Sequence, residues 1–97
     1  LHKYFKHMVG LRLKWLIDKD GFPQRTLSVL LNIDTVTYSK IENWQFALRK
    51  DFVPIIEEFY GLEKDSLAKI WLADKVYNVV KDKPAAKEAL NAVEKIL

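Results

Sequence analysis

Apolar residues recur every three to four positions in blocks, and the few glycines, prolines and turn-forming polar residues fall between the blocks. The first block, residues 4–19, puts Val9, Leu13 and Leu16 on one helical face and Tyr4, Met8, Leu11 and Trp15 on nearly the opposite one. Gly21-Phe22-Pro23 ends it, and a second helix begins at Pro23 or Gln24, because proline is tolerated in a first turn. Asn32 sits between Leu31 and Ile33, and asparagine enters the left-handed conformation cheaply, as a tight turn between helices requires. Asp34 is a natural N-cap for a third helix over residues 35–43. A fourth, over about 50–60, carries Phe52, Ile55, Ile56, Phe59 and Tyr60 at helical spacing and stops at Gly61. A fifth covers about 64–80. Pro84 opens a sixth, with Ala86, Ala89, Leu90, Val93, Ile96 and Leu97 along one stripe.

The pattern predicts an all-α fold of five or six helices, with no strand-like alternation anywhere. Its expected core contains Leu13, Leu16, Leu27, Leu31, Ile41, Ile55, Phe59 and Trp71. Helices one and five carry more apolar surface than one core uses. The fifth has Leu67, Ile70, Trp71 and Tyr77 on one side and Leu72, Val76, Val79 and Val80 on another. A helix apolar on two faces must be sandwiched. Either the sixth helix folds back over the second faces, or helices five and six form the surface of a homodimer, and the two arrangements are compatible.

Composition narrows the function classes. Ninety-seven residues make one domain, residues 1–97, and an apolar fraction of 49% is enough for a helical core. The apolar runs are a few residues long and no charged-then-apolar leader opens the chain, so no membrane association and a cytoplasmic location are expected. With no cysteine there is no disulfide framework, thiol nucleophile or cysteine zinc site. His2 and His7 lack the spacing of a helical metal site, and Glu57-Glu58 reads as the solvated side of the fourth helix. There is no glycine-rich phosphate loop and no nucleophile elbow, so neither an enzyme nor a cofactor or metal is expected. The net charge of +3 permits phosphate binding but does not require it.

Residues 24–43, Gln-Arg-Thr-Leu-Ser-Val-Leu-Leu-Asn-Ile-Asp-Thr-Val-Thr-Tyr-Ser-Lys-Ile-Glu-Asn, resemble the helix-turn-helix of the Cro and phage-repressor family. Leu27, Leu31, Ile33, Tyr38 and Ile41 match the apolar positions that lock the two helices, and Ser28 the small residue at their crossing. The resemblance covers about residues 9–71. It implies a lambda-repressor-like bundle with a helical extension over 72–97, acting as a sequence-specific transcriptional regulator on double-stranded DNA. By that resemblance Gln24 binds a phosphate, and Thr35, Val36, Ser39 and Lys40 face base edges at the recognition helix. Asn43, Arg49 and Lys50 would touch the backbone.

Four departures stand out. Ile17 occupies the place of the family's usual arginine, which removes the expected partner of Glu42. Trp44, Phe46 and Leu48 replace the glycine, polar or basic residues and proline that usually follow the recognition helix. Together with Val36 they suggest an apolar patch, and hence an alternative function. In that alternative the same scaffold, re-purposed by nature or by design, binds a protein through Ile17, Val36, Trp44, Phe46 and Leu48.

Overall fold

In the computed structural model, which describes residues 8–43 and 45–97, six helices follow one another. They are α1 (Met8–Asp20), α2 (Gln24–Leu31), α3 (Thr35–Glu42), α4 (Phe52–Tyr60), α5 (Ser66–Val80) and α6 (Ala86–Ile96). Among the described residues there is no strand, so the all-α expectation holds. Residues 4–7 of the expected first helix lie outside the described residues.

Local chemistry sets the boundaries. Asn32 takes the left-handed conformation (φ 57°, ψ 44°) after α2, and its N–H and that of Ile33 donate to Val29 O and Ser28 O at 3.1 and 3.0 Å. These bonds satisfy carbonyls that the helix end would otherwise leave unpaired. One residue further on, the Asp34 carboxylate accepts from Thr37 N at 2.6 Å and starts α3. Gly61 closes α4 at φ 63°, a left-handed conformation that glycine takes without steric cost.

The core forms where α1 packs on α3 and α5, α2 on α3 and α4, and α4 on α5. Leu13, Leu16, Leu27, Ile56, Leu67 and Tyr38 are its most completely enclosed side chains. Each buried aliphatic among them contributes roughly 1.5–3 kcal/mol. Two expected members, Ile55 and Phe59, are exposed instead. The inward face of α4 is centred on Phe52, Val53, Ile56 and Glu57, and Phe59 and Ile55 lie off it, roughly a quarter and a third of a turn away. Phe59 packs on the rim, with ring centroids 5.4 Å from Phe22 and 5.1 Å from Tyr60. Trp71 is half-buried, its Nε1 donating to Leu48 O at 2.7 Å.

Glu57 is the larger surprise. It is only 8% exposed, not solvated, and its Oε2 accepts from Leu67 N and Ala68 N at 2.9 and 3.0 Å. It therefore caps α5 from a neighbouring helix, where Asp65 makes no side-chain cap.

Asp74 does the same for α1, accepting from Met8 N and Val9 N at 3.1 and 2.9 Å. Burial pushes its pKa up, against the lowering effect of those two N–H groups. A carboxyl whose pKa is raised on folding stabilises most below its unfolded value and loses that contribution as pH rises through the folded one. The wild type is therefore expected to lose stability relative to Asp74→Asn as pH climbs above the ordinary aspartate range of about 4. Urea midpoints of both proteins across that range measure it, and a pH-independent difference would remove the effect.

The sixth helix does not fold back. None of its residues is buried, and Leu11 and Trp15 on the second face of α1 remain exposed. Trp15 is instead flanked by cations, with Arg12 Cζ and Lys19 Nζ at 5.2 and 4.9 Å from its ring. Leu72, Val76 and Val79 on α5 are also open.

Candidate functional site

The two short helices α2 and α3 meet across a turn of three residues, with Ser28 buried between them. Ser28 Oγ donates to Arg25 O at 2.9 Å and lies 3.5 Å from Thr35 Oγ1, so a larger residue here would force the pair apart. Opposite faces of α3 have opposite fates. Tyr38, Ile41 and Glu42 point into the protein, whereas Thr35, Val36, Ser39, Lys40 and Asn43 share the outer face. Val36 is 65% exposed, which puts a branched apolar side chain at the open end of that face.

The polar residues of this face are held in place. Asn43 Nδ2 donates to Ser39 O at 3.0 Å, and its Oδ1 accepts from Lys14 Nζ at 3.0 Å. Lys14, on α1, is a cation that sequence reasoning missed; only the packing of α1 on α3 brings it beside Asn43. Lys40 Nζ lies 5.1 Å from the centroid of the Phe46 ring. The loop is turned back under it, with Gln45 N and Phe46 N donating to Lys40 O at 2.8 and 3.3 Å. Arg49 pairs with Asp51 at 3.0 Å and covers the Phe52 ring, and Arg25 and Lys50 are exposed. The one acid on α3, Glu42, is turned inward, away from these cations. Asp34 remains, its pKa held low chiefly by the Thr37 N–H.

Gln24, expected at a phosphate, has a partner within the protein. Its Nε2 donates to Glu42 Oε1 at 2.8 Å, so an amide serves Glu42, only 3% exposed, where the resemblance implied an arginine. The Tyr38 hydroxyl, also buried, faces the Glu42 carboxylate, and the Tyr60 hydroxyl is buried with no hydrogen-bond partner among the described residues. Burial, and then the Glu42 charge, push the Tyr38 hydroxyl well above the usual phenol range. Tyr60 is raised by burial, then by Asp20 and Glu42.

The apolar patch is reduced. Leu48 is 4% exposed and belongs to the core, and Ile17 is half-buried against that core. Leu48 turns inward, its carbonyl anchored by Trp71 and its side chain part of the buried core. Val36 and Phe46 stay at the surface, and Trp44 lies outside the described residues. Among the described residues no group of three histidines or carboxylates could hold a metal ion, and no helix is long and apolar enough to cross a membrane. Compared with protein-family models, with curated proteins and with solved structures, the chain matches none.

Proposed function

We propose that this domain is a cytoplasmic, lambda-repressor-like transcriptional regulator that binds double-stranded DNA through α2 and α3. One observation carries the reading. Helix α3 is braced on its inner side by α1 and α2 while its outer side presents Thr35, Val36, Ser39, Lys40 and Asn43 as one polar, basic-flanked surface. Its eight residues span about 12 Å, close to the width of a major groove. The Thr35 and Val36 methyls suit a thymine methyl, and Lys40 suits the acceptors of guanine or a phosphate. Lys14, Arg25, Arg49, Lys50 and Asn43 serve the backbone, as does the N-terminus of α2, which no side chain caps.

Two local contacts must yield on binding. Lifting Lys40 from Phe46 costs about 0.5–1 kcal/mol, and opening the exposed Arg49–Asp51 pair costs no more. Phosphate contacts that release counterions offset both. The exposed Phe46 ring and the exposed Val36 support the second reading of a protein-binding edge. It is the weaker of the two, since Leu48 has left that surface.

Fluorescence anisotropy with a random duplex, titrated with salt, tests the proposal. Log affinity is expected to fall with log salt with a slope of about −3 to −5, as for a few neutralised phosphates. On a selected site, Lys40→Ala is expected to weaken binding by about 5- to 100-fold and flatten the preference between sites. No binding to any duplex at low salt would overturn the reading.

A further inference from the structure

Helix α6 is amphipathic, yet it buries no residue against the rest of the chain. Leu90, Val93 and Ile96 are exposed, Ile96 to 84%. The radius of gyration, 14.7 Å, exceeds the roughly 12.5 Å of an average domain of this length, consistent with a helix standing off the body. An isolated helix of eleven residues is marginal in water, and an apolar stripe this open calls for a covering surface.

The charges beside the stripe identify what covers it. Ala86, Leu90, Val93 and Leu97 are spaced four, three and four apart, the seam of a two-helix pairing. One flank of the seam holds Lys87 and Glu94, seven residues apart and so on the same side. The other flank holds Ala89 and Ile96. When two identical helices pair antiparallel, each flank meets its own copy, whereas in a parallel pair unlike flanks meet. Antiparallel pairing thus sets Lys87 against Glu94 of the second copy, twice, and sets Ala89 against Ile96. A seam register that opposes Leu90 to Val93 satisfies both flanks together. Parallel pairing would place charge against apolar surface. Lys87 and Glu94 form no ion pair among the described residues, so both are available.

We propose that α6 pairs antiparallel with α6 of a second copy of this chain, with Lys87 of each facing Glu94 of the other. The open Leu72, Val76 and Val79 stripe on α5, also spaced four and three apart, widens the apolar surface that the two copies share. The pairing is independent of the DNA-binding reading and is measured without DNA.

Sedimentation equilibrium of the 11.4 kDa chain is expected to show a concentration-dependent species of twice that mass. Lys87→Glu or Glu94→Lys alone turns two attractive pairs repulsive and is expected to raise the dimer dissociation constant about tenfold. The two together are expected to restore it to within about threefold, since the pairs are re-formed with their signs exchanged. Val93→Asp is expected to abolish the dimer while the denaturation midpoint of the monomer, whose core does not include α6, persists. The proposal is overturned by a monomer at hundreds of micromolar, by a dimer indifferent to these changes, by failure of the double exchange to restore it, or by unfolding of Val93→Asp.

Discussion

Replacing Glu57 with alanine is expected to destabilise the domain by roughly 2–4 kcal/mol, a large share of the 5–15 kcal/mol that holds a domain of this kind together. The carboxylate accepts from two backbone N–H groups at the start of α5, in a place that excludes water. Alanine leaves both donors unpaired, and each buried unpaired donor costs about 1–3 kcal/mol. It also removes a negative charge from the positive end of a fifteen-residue helix. Glu57→Gln keeps one acceptor oxygen and is expected to lose distinctly less. Urea denaturation of the three proteins orders them. If Glu57→Ala unfolds within about 0.5 kcal/mol of the wild type, the cap contributes nothing and Leu67 N and Ala68 N must find another acceptor.

Glu57 also marks where sequence reasoning stops. Asn32, Asp34, Pro23 and Gly61 act on their own segments of backbone, so the helix boundaries and the turn between α2 and α3 were legible from residue type alone. A cap supplied by another helix depends on tertiary packing, and a glutamate beside a second glutamate looks like any solvated pair. The same limit explains the rotation of α4. Its apolar residues cover more than one face, and only the docking of α5 makes Glu57 part of the inner one at the expense of Ile55 and Phe59. Leu48 was placed at the surface because it follows an apolar loop; a bond from Trp71 to its carbonyl, 23 residues away, turns it inward. Of the candidate site, the outer face of α3 was implied by the resemblance of residues 24–43 to a helix-turn-helix, whereas the contributions of Lys14 and of the Gln24–Glu42 bond required the packing of separate helices.

Gln24→Ala is expected to cost a further large sum of stability, about 2–4 kcal/mol, before any question of DNA arises. Glu42 is nearly enclosed, and the Gln24 amide donates to its Oε1 at 2.8 Å. Removing the amide leaves Oε1 of a buried carboxylate without its donor at the foot of α3. Adding Glu42→Leu removes the acceptor as well, and replacement of both partners by apolar groups is often close to neutral, so most of the loss is expected to return. This pair of changes separates two roles for one side chain. If Gln24 also meets a phosphate, the refolded double variant still binds every duplex more weakly than Glu42→Leu alone, with no change in its preference among sites and a shallower salt dependence. If instead the double variant matches Glu42→Leu in affinity, Gln24 acts by holding Glu42 in place, and the phosphate contact inferred for it is wrong.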